Sequence, residues 1–206
     1  MSDSSSPLAV NHHADHPGFA GPTAILCGLV FLLAGRAKAK LAVELADVSA
    51  GDHVVDVGCG PGTAARRAAG RGARVTGVDP STALLRLARA LTPKRAGITW
   101  SEGTAEDLPV ADRTATVVWA LATVHHWKDV DKAVAEAHRV LSAGGLLIAV
   151  ERQSPPGATG LASHGWIQQQ AESFAALCRS AGFDKVAVTP SGNGRQAVWV
   201  VTGARR

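Results

Sequence analysis

The chain has no tyrosine, and aromatic residues of all kinds make up 4% of its 206 residues. Its basic residues are scattered, apart from small clusters at Arg36/Lys38/Lys40 and Arg205-Arg206. With neither an arginine-rich run nor aromatic–basic interleaving, no nucleic-acid surface is expected. Cysteine is scarce too. Cys27, Cys59 and Cys178 are far apart and odd in number, which gives no disulfide framework and no zinc spacing and fits a reducing cytosol. A long apolar run is also missing. Gly18 to Gly35 carries no charge, but Gly18, Gly21, Pro22 and Gly28 interrupt it, and its dense part, Ala24–Ala34, is shorter than the ~20 residues of a spanning helix. Met1–Asp15 holds no basic residue, so no secretory signal is expected there. These absences predict a cytoplasmic protein whose contact with membranes is at most peripheral. No internal repeat is visible.

What is present suits one globular domain: 46% apolar residues, 18% charged residues and a net charge of +4. Met1–Val10 is serine-rich without periodicity and reads as a disordered tail over 1–10. Residues 11–37 read as a lid or helix over a site. Within them His12, His13 and His16 surround Asp15, which suits either a metal or a polar surface loop; no distant ligand motif accompanies it, and no metal is expected. Thr23–Ala34 is apolar on most faces and reads as a buried helix.

The most informative stretch is Val54-Val55-Asp56-Val57-Gly58-Cys59-Gly60-Pro61-Gly62. A β-branched run, a carboxylate and three alternate glycines precede a helix over Thr63–Ala69. Glycine permits a left-handed backbone and close approach of another molecule, and the helix behind it presents free N–H groups. Arg74–Val78 is the next strand. It ends at Asp79, where an α/β unit places a ribose-binding acid; a helix cap beside Pro80-Ser81 is the alternative. Strands follow at Ile98–Ser101, Ala115–Ala120, Leu146–Val150, Lys185–Thr189 and Gln196–Thr202. Helices are expected over Lys38–Val48, Ser81–Leu91, Asp131–Leu141 and Trp166–Ala181, and a loop over Glu151–Ser163. Ser191–Gly194 is a hairpin signal.

The D-x-G-x-G-x-G pattern resembles motif I of the class I S-adenosylmethionine-dependent methyltransferases, of the small-molecule "type 11" kind. Gly103, Ala105, Leu108 and Pro109 are similar to the family's adenine-wrapping G-D-A-x-x-L-P, with Thr104 in place of its aspartate. Arg139-Val140-Leu141 with Gly144-Gly145 resembles its R-x-L-x-x-G-G. The resemblance spans 38–206. It implies a doubly wound, Rossmann-like sheet of seven strands, mostly parallel with an antiparallel last strand, and helices on both faces. It also implies S-adenosylmethionine as cofactor and S-adenosylhomocysteine as product. Gly58, Cys59, Gly60 and Gly62 would meet the methionine moiety, with Asp56 near its amino group. Asp79 would take the ribose; Pro80, Thr104, Ala105 and Glu106 the adenine; Ala120 and Leu121 the methionine end.

His125 and His126 follow the fourth strand and are candidates for a general base, or are plain loop histidines. The expected reaction moves a methyl group to an O or N atom, ahead of C or S, of a small apolar or aromatic acceptor. The short additions to the core imply a small or flat acceptor, an open pocket, or cover from a second subunit in a homodimer. A NAD(P)-dependent oxidoreductase and a non-catalytic S-adenosylmethionine-binding protein are the alternatives.

Overall fold

The computed structural model describes residues 35–158 and 164–206. The tail, most of the expected lid, the Thr23–Ala34 helix and the His12-His13-Asp15-His16 group lie outside the described residues.

Seven strands form one sheet in the order β3-β2-β1-β4-β5-β7-β6. They are β1 (His53–Val57), β2 (Arg74–Asp79), β3 (Ile98–Glu102), β4 (Ala115–Leu121), β5 (Leu141–Arg152), β6 (Phe183–Ser191) and β7 (Val198–Arg205). The first five are parallel, and β7 runs antiparallel to both neighbours. The helices are α1 (Arg36–Leu45), α2 (Thr63–Ala69), α3 (Thr82–Ala90), α4 (Val130–Val140) and α5 (Gln168–Ser180).

Every residue of β1 is buried. That is what a parallel strand covered on both faces requires, and it explains why the run has no polar alternation. On one face Val54, Trp119, Ile148 and Val150 meet Ala39, Ala42 and Val43 of α1 and Ala64, Ala65 and Ala68 of α2. These alanines let the helices lie close to the strands. On the other face Val55, Val118, Leu147 and Ala149 meet Val134 and Ala137 of α4 and Ala171, Phe174 and Cys178 of α5. Trp119, Trp166 and Phe174 are at most 2% exposed.

Strand order reverses between β1 and β4, so the loops leaving their carboxyl ends border one crevice, the usual ligand position in such sheets. The main departure from the sequence reading is β5. It continues through Glu151 and Arg152, and a bridge from Gln153 to Trp166 follows. Pairing with Trp199 and Val198 of β7 holds these two polar residues in the ladder, which a Pro/Gly/Ser-rich sequence does not reveal. The helix expected from Trp166 begins at Gln168, because Trp166 N–H donates to Arg152 O (2.8 Å). Among the described residues no helix is long and apolar enough to cross a membrane.

Candidate active site

The loop between β1 and α2 is built from three glycines, two of them required by packing and one not. A Cβ on Gly58 would overlap Thr123 Oγ1, and one on Gly62 would overlap the Trp100 ring. Both are packing requirements from neighbouring parts of the fold. A Cβ on Gly60 would meet nothing within 4 Å. Gly60 therefore borders open space, at a left-handed φ of 50°.

The loop is tied down from the β2 side. Gly58 and Cys59 N–H both donate to Val78 O, at 2.8 and 3.0 Å. Gly60 N–H donates to Asp79 Oδ2 and Ser81 N–H to Asp79 Oδ1, each at 2.8 Å. Ser81 caps α3 by accepting from Leu84 N–H. Asp79 thus braces the glycine loop and the start of α3 together, while each carboxylate oxygen keeps acceptor capacity. It is buried, and burial pushes its carboxyl above the usual range. Pro80 beside it is exposed.

Asp56 shares its strand face with Val54 and points toward the α2 side. It is 2% exposed, and its Oδ2 has no hydrogen-bond partner among the described residues. Burial, helped by the charge of Asp79, raises its carboxyl to about 7. Cys59 is buried as a free thiol, and burial pushes it upward.

The 103–109 loop is fastened by charge. Arg139 of α4 donates through Nη2 to Leu108 O (3.0 Å), through Nη1 to Val110 O (2.9 Å) and Asp112 Oδ1 (2.6 Å), and through Nε to Glu136 Oε1 (2.7 Å). Glu136 Oε2 in turn accepts from Leu108 N–H at 2.9 Å. Arg139 therefore shapes the loop from behind. Ala105 is in the core and Thr104 is exposed. Glu106 Oε1 accepts from Lys128 N–H (2.7 Å) and Asp129 N–H (3.2 Å), so this oxygen joins the loop to the segment after the histidines.

β4 ends with Ala120 buried and Leu121 half-buried. Ala122 takes a left-handed φ of 58° and donates to Val150 O at 2.7 Å. A single turn over Val124–His126 follows. Val124 N–H donates to Glu151 Oε1 (2.8 Å), and His125 Nδ1 lies 3.0 Å from Glu151 Oε2. Glu151 is fully buried and the His125 side chain is 14% exposed. The ring centroids of His126 and His164 lie 4.0 and 5.7 Å from that of His125. Lys38 of α1 is within electrostatic reach of Glu151; burial lowers its ammonium, an effect the Glu151 charge opposes and that of Arg152 reinforces. Among the described residues no group of three or more His, Cys, Asp or Glu is placed to hold a metal ion.

The structure thus gathers Asp56, Gly58, Cys59, Gly60, Gly62, Asp79, Ala120, Leu121 and His125 around the carboxyl ends of β1, β2 and β4. Glu151 and His164 are additions that the sequence reading missed. Glu151 carried a usable signal, because it follows the apolar run Leu146–Val150 just as Asp79 follows its own strand.

Residues 55–149 match the family model described as a methyltransferase domain. The chain is 34% identical over 113 residues to the Ubiquinone/menaquinone biosynthesis C-methyltransferase UbiE of Rubrivivax gelatinosus, covering 55% of this chain and 44% of that protein. It therefore spans less than half the length of that relative. Among solved structures it resembles the [4+2]-cyclase SpnF, with a TM-score of 0.71, 19% identity and coverage of 84% of this chain and 81% of the other. It also resembles a SAM-dependent methyltransferase from Thermotoga maritima described as a possible histamine N-methyltransferase. That match has a TM-score of 0.65, 22% identity and coverage of 88% and 96%.

Proposed function

We infer the activity from one premise: this chain belongs to the class I S-adenosylmethionine-dependent methyltransferases. On that footing it moves a methyl group to a small aromatic acceptor of the quinol type. The observation that carries the reading is the division of labour among the glycines. Gly58 and Gly62 are fixed by Thr123 and Trp100, whereas Gly60 borders open space beside Asp79. The residues fit the cofactor. Open space at Gly60 admits a ligand against the backbone, Asp79 has acceptor capacity for ribose hydroxyls, and the unpartnered Asp56 Oδ2 suits an ammonium. Gly58, Cys59, Gly60 and Gly62 would line the methionine moiety, with Ala120 and Leu121 at its end. Pro80, Thr104 and Ala105 would border the adenine, with Glu106 acting through the loop it anchors.

When bound, S-adenosylmethionine supplies an activated methyl group on a positively charged sulfur. The chain's own work is to align the acceptor, exclude water and remove a proton where the acceptor brings one. His125 is the base in this reading, since it is the histidine with a carboxylate on Nδ1. The acceptor class rests on the name of the Rubrivivax relative, a quinone C-methyltransferase. Methylation at carbon and at oxygen of a quinol both begin with loss of a hydroxyl proton, so this reading spans the expected O and the C of that name. The described end of the 11–37 segment enters α1 just before Lys38, near Glu151, in keeping with a lid over the acceptor.

Calorimetry with S-adenosylmethionine, S-adenosylhomocysteine and NADH tests the cofactor, followed by methyl transfer to reduced 1,4-naphthoquinone. Binding of the two sulfur ligands with turnover supports the reading. Binding without any methyl transfer favours different chemistry on the same fold, of which the cyclase SpnF is the named instance. Binding of NADH alone overturns it.

A further inference from the structure

We propose that Glu151 is a positioning residue that sets His125 in one tautomer, with Nε2 as the proton-accepting nitrogen, and so adapts the site to acceptors that enter with an O–H. This rests on His125 being the base of the reaction proposed above.

An ionised carboxylate can only accept hydrogen bonds. Glu151 is fully buried, and its two oxygens face two different groups: Oε1 the Val124 N–H at 2.8 Å and Oε2 the His125 Nδ1 at 3.0 Å. The proton of neutral His125 must therefore sit on Nδ1. Nε2 then carries the lone pair. The Val124 contact fixes the carboxylate from the base of the same turn, so ring and carboxylate are held by one short segment.

One further cation is within electrostatic reach of Glu151, Lys38 from α1. His126 and His164 face His125 from its turn and from the segment before α5. In the proton step the acceptor O–H bond breaks and its electron pair stays on oxygen. The proton goes to Nε2, giving an imidazolium whose charge faces Glu151, and later leaves to water. A phenol or quinol has to lose this proton before its oxygen or ring carbon can attack the methyl group.

The test uses the full chain bound to S-adenosylhomocysteine. Nitrogen-15 NMR of the histidine rings reads the tautomer of His125 without needing any acceptor. The expected parent tautomer is Nδ1–H. In Glu151→Gln the single amide oxygen is claimed by Val124 N–H, so the amide NH₂ faces the ring and the tautomer switches to Nε2–H. With reduced 1,4-naphthoquinone, kcat falls at least tenfold while KM and S-adenosylhomocysteine affinity stay within twofold. A parent Nε2–H tautomer, or a Glu151→Gln variant with unchanged tautomer, overturns the proposal. His125→Asn keeps the two ideas apart. If it retains turnover, the base reading fails and this proposal fails with it. If it is inactive while Glu151→Gln matches the parent in tautomer and rate, only the role of Glu151 is overturned. Absence of parent turnover on this quinol counts against the methyl-transfer reading itself, and the tautomer still decides whether Glu151 sets His125.

Discussion

Gly60 N–H and Asp79 Oδ2 lie 2.8 Å apart, and through that bond the acid ending β2 holds the one glycine of the loop that borders open space. The brace and the proposed ribose acceptor are therefore one side chain. Asp79→Ala should weaken S-adenosylhomocysteine by ~1.5–3 kcal/mol, the worth of hydrogen bonds to a charged group. Calorimetry reads this directly. Unchanged affinity would leave Asp79 as a brace and cap for the loop and α3 only.

The glycines should separate by phenotype. Gly60→Ala keeps a folded chain at a cost of ~1–2 kcal/mol for its left-handed backbone, and loses cofactor binding. Gly62→Ala instead lowers the melting temperature, because its Cβ overlaps the Trp100 ring. Adding Trp100→Ala to Gly62→Ala should recover part of that loss. Thermal unfolding with and without S-adenosylhomocysteine distinguishes the two classes, and a Gly60→Ala chain that still binds would remove the loop from the site.

Asp56 gives a pH signature. An aspartate titrates at about 3.9 in an unfolded chain and at about 7 here, because burial disfavours its charge. The folded state holds this proton longer than the unfolded state. Its contribution to stability is therefore full below about 4, is lost as pH rises to about 7, and is constant above that. Asp56→Asn should gain about 2–4 kcal/mol at pH 8 and nothing at pH 4, while cofactor affinity falls. Urea unfolding at the two pH values checks the sign; an equal effect at both would mean that the charge is not the cause.

Arg139 should affect binding from a distance. Arg139→Ala frees the Leu108 and Val110 carbonyls and the Glu136 carboxylate at once. The expected loss is ~1–3 kcal/mol of stability, by breaking a charged hydrogen-bond network. S-Adenosylhomocysteine affinity should drop several-fold although the partners of Arg139 are Leu108, Val110, Asp112 and Glu136 rather than the glycine loop. Arg139→Lys should not restore it, since an ammonium cannot reproduce the fork. Full recovery with lysine would argue for simple charge.

The sheet was legible in the sequence because its parallel strands are uninterrupted apolar runs, Val54–Val57 and Leu146–Val150 among them, bounded by glycine or acid. The helix Thr63–Ala69 emerged with the expected ends. Motif I and Asp79 were legible because glycine and a strand-terminal acid have few other uses together. Glu151 carried the same signal as Asp79, an acid after an apolar run, but the extension of β5 through it rests on pairing with Trp199 of an antiparallel neighbour, which no local pattern encodes. The role of Glu106 was hidden for a related reason: the N–H groups that claim it belong to Lys128 and Asp129, more than twenty residues away. Local spacing identifies the loop but not what its side chains hold.

Trp100 lies on an edge strand, with its ring over Gly62 and Gly77. An indole emits according to the polarity and mobility of its surroundings, and this one rests against the end of the glycine loop. Trp119 and Trp166 are sealed in the two cores, whereas Trp127 directly follows His126 and Trp199 pairs with Glu151, so comparison with Trp100→Phe isolates the signal of the loop. The chain therefore carries a built-in optical reporter at the loop, one that can follow ligand arrival in a stopped-flow cuvette without label, acceptor or turnover.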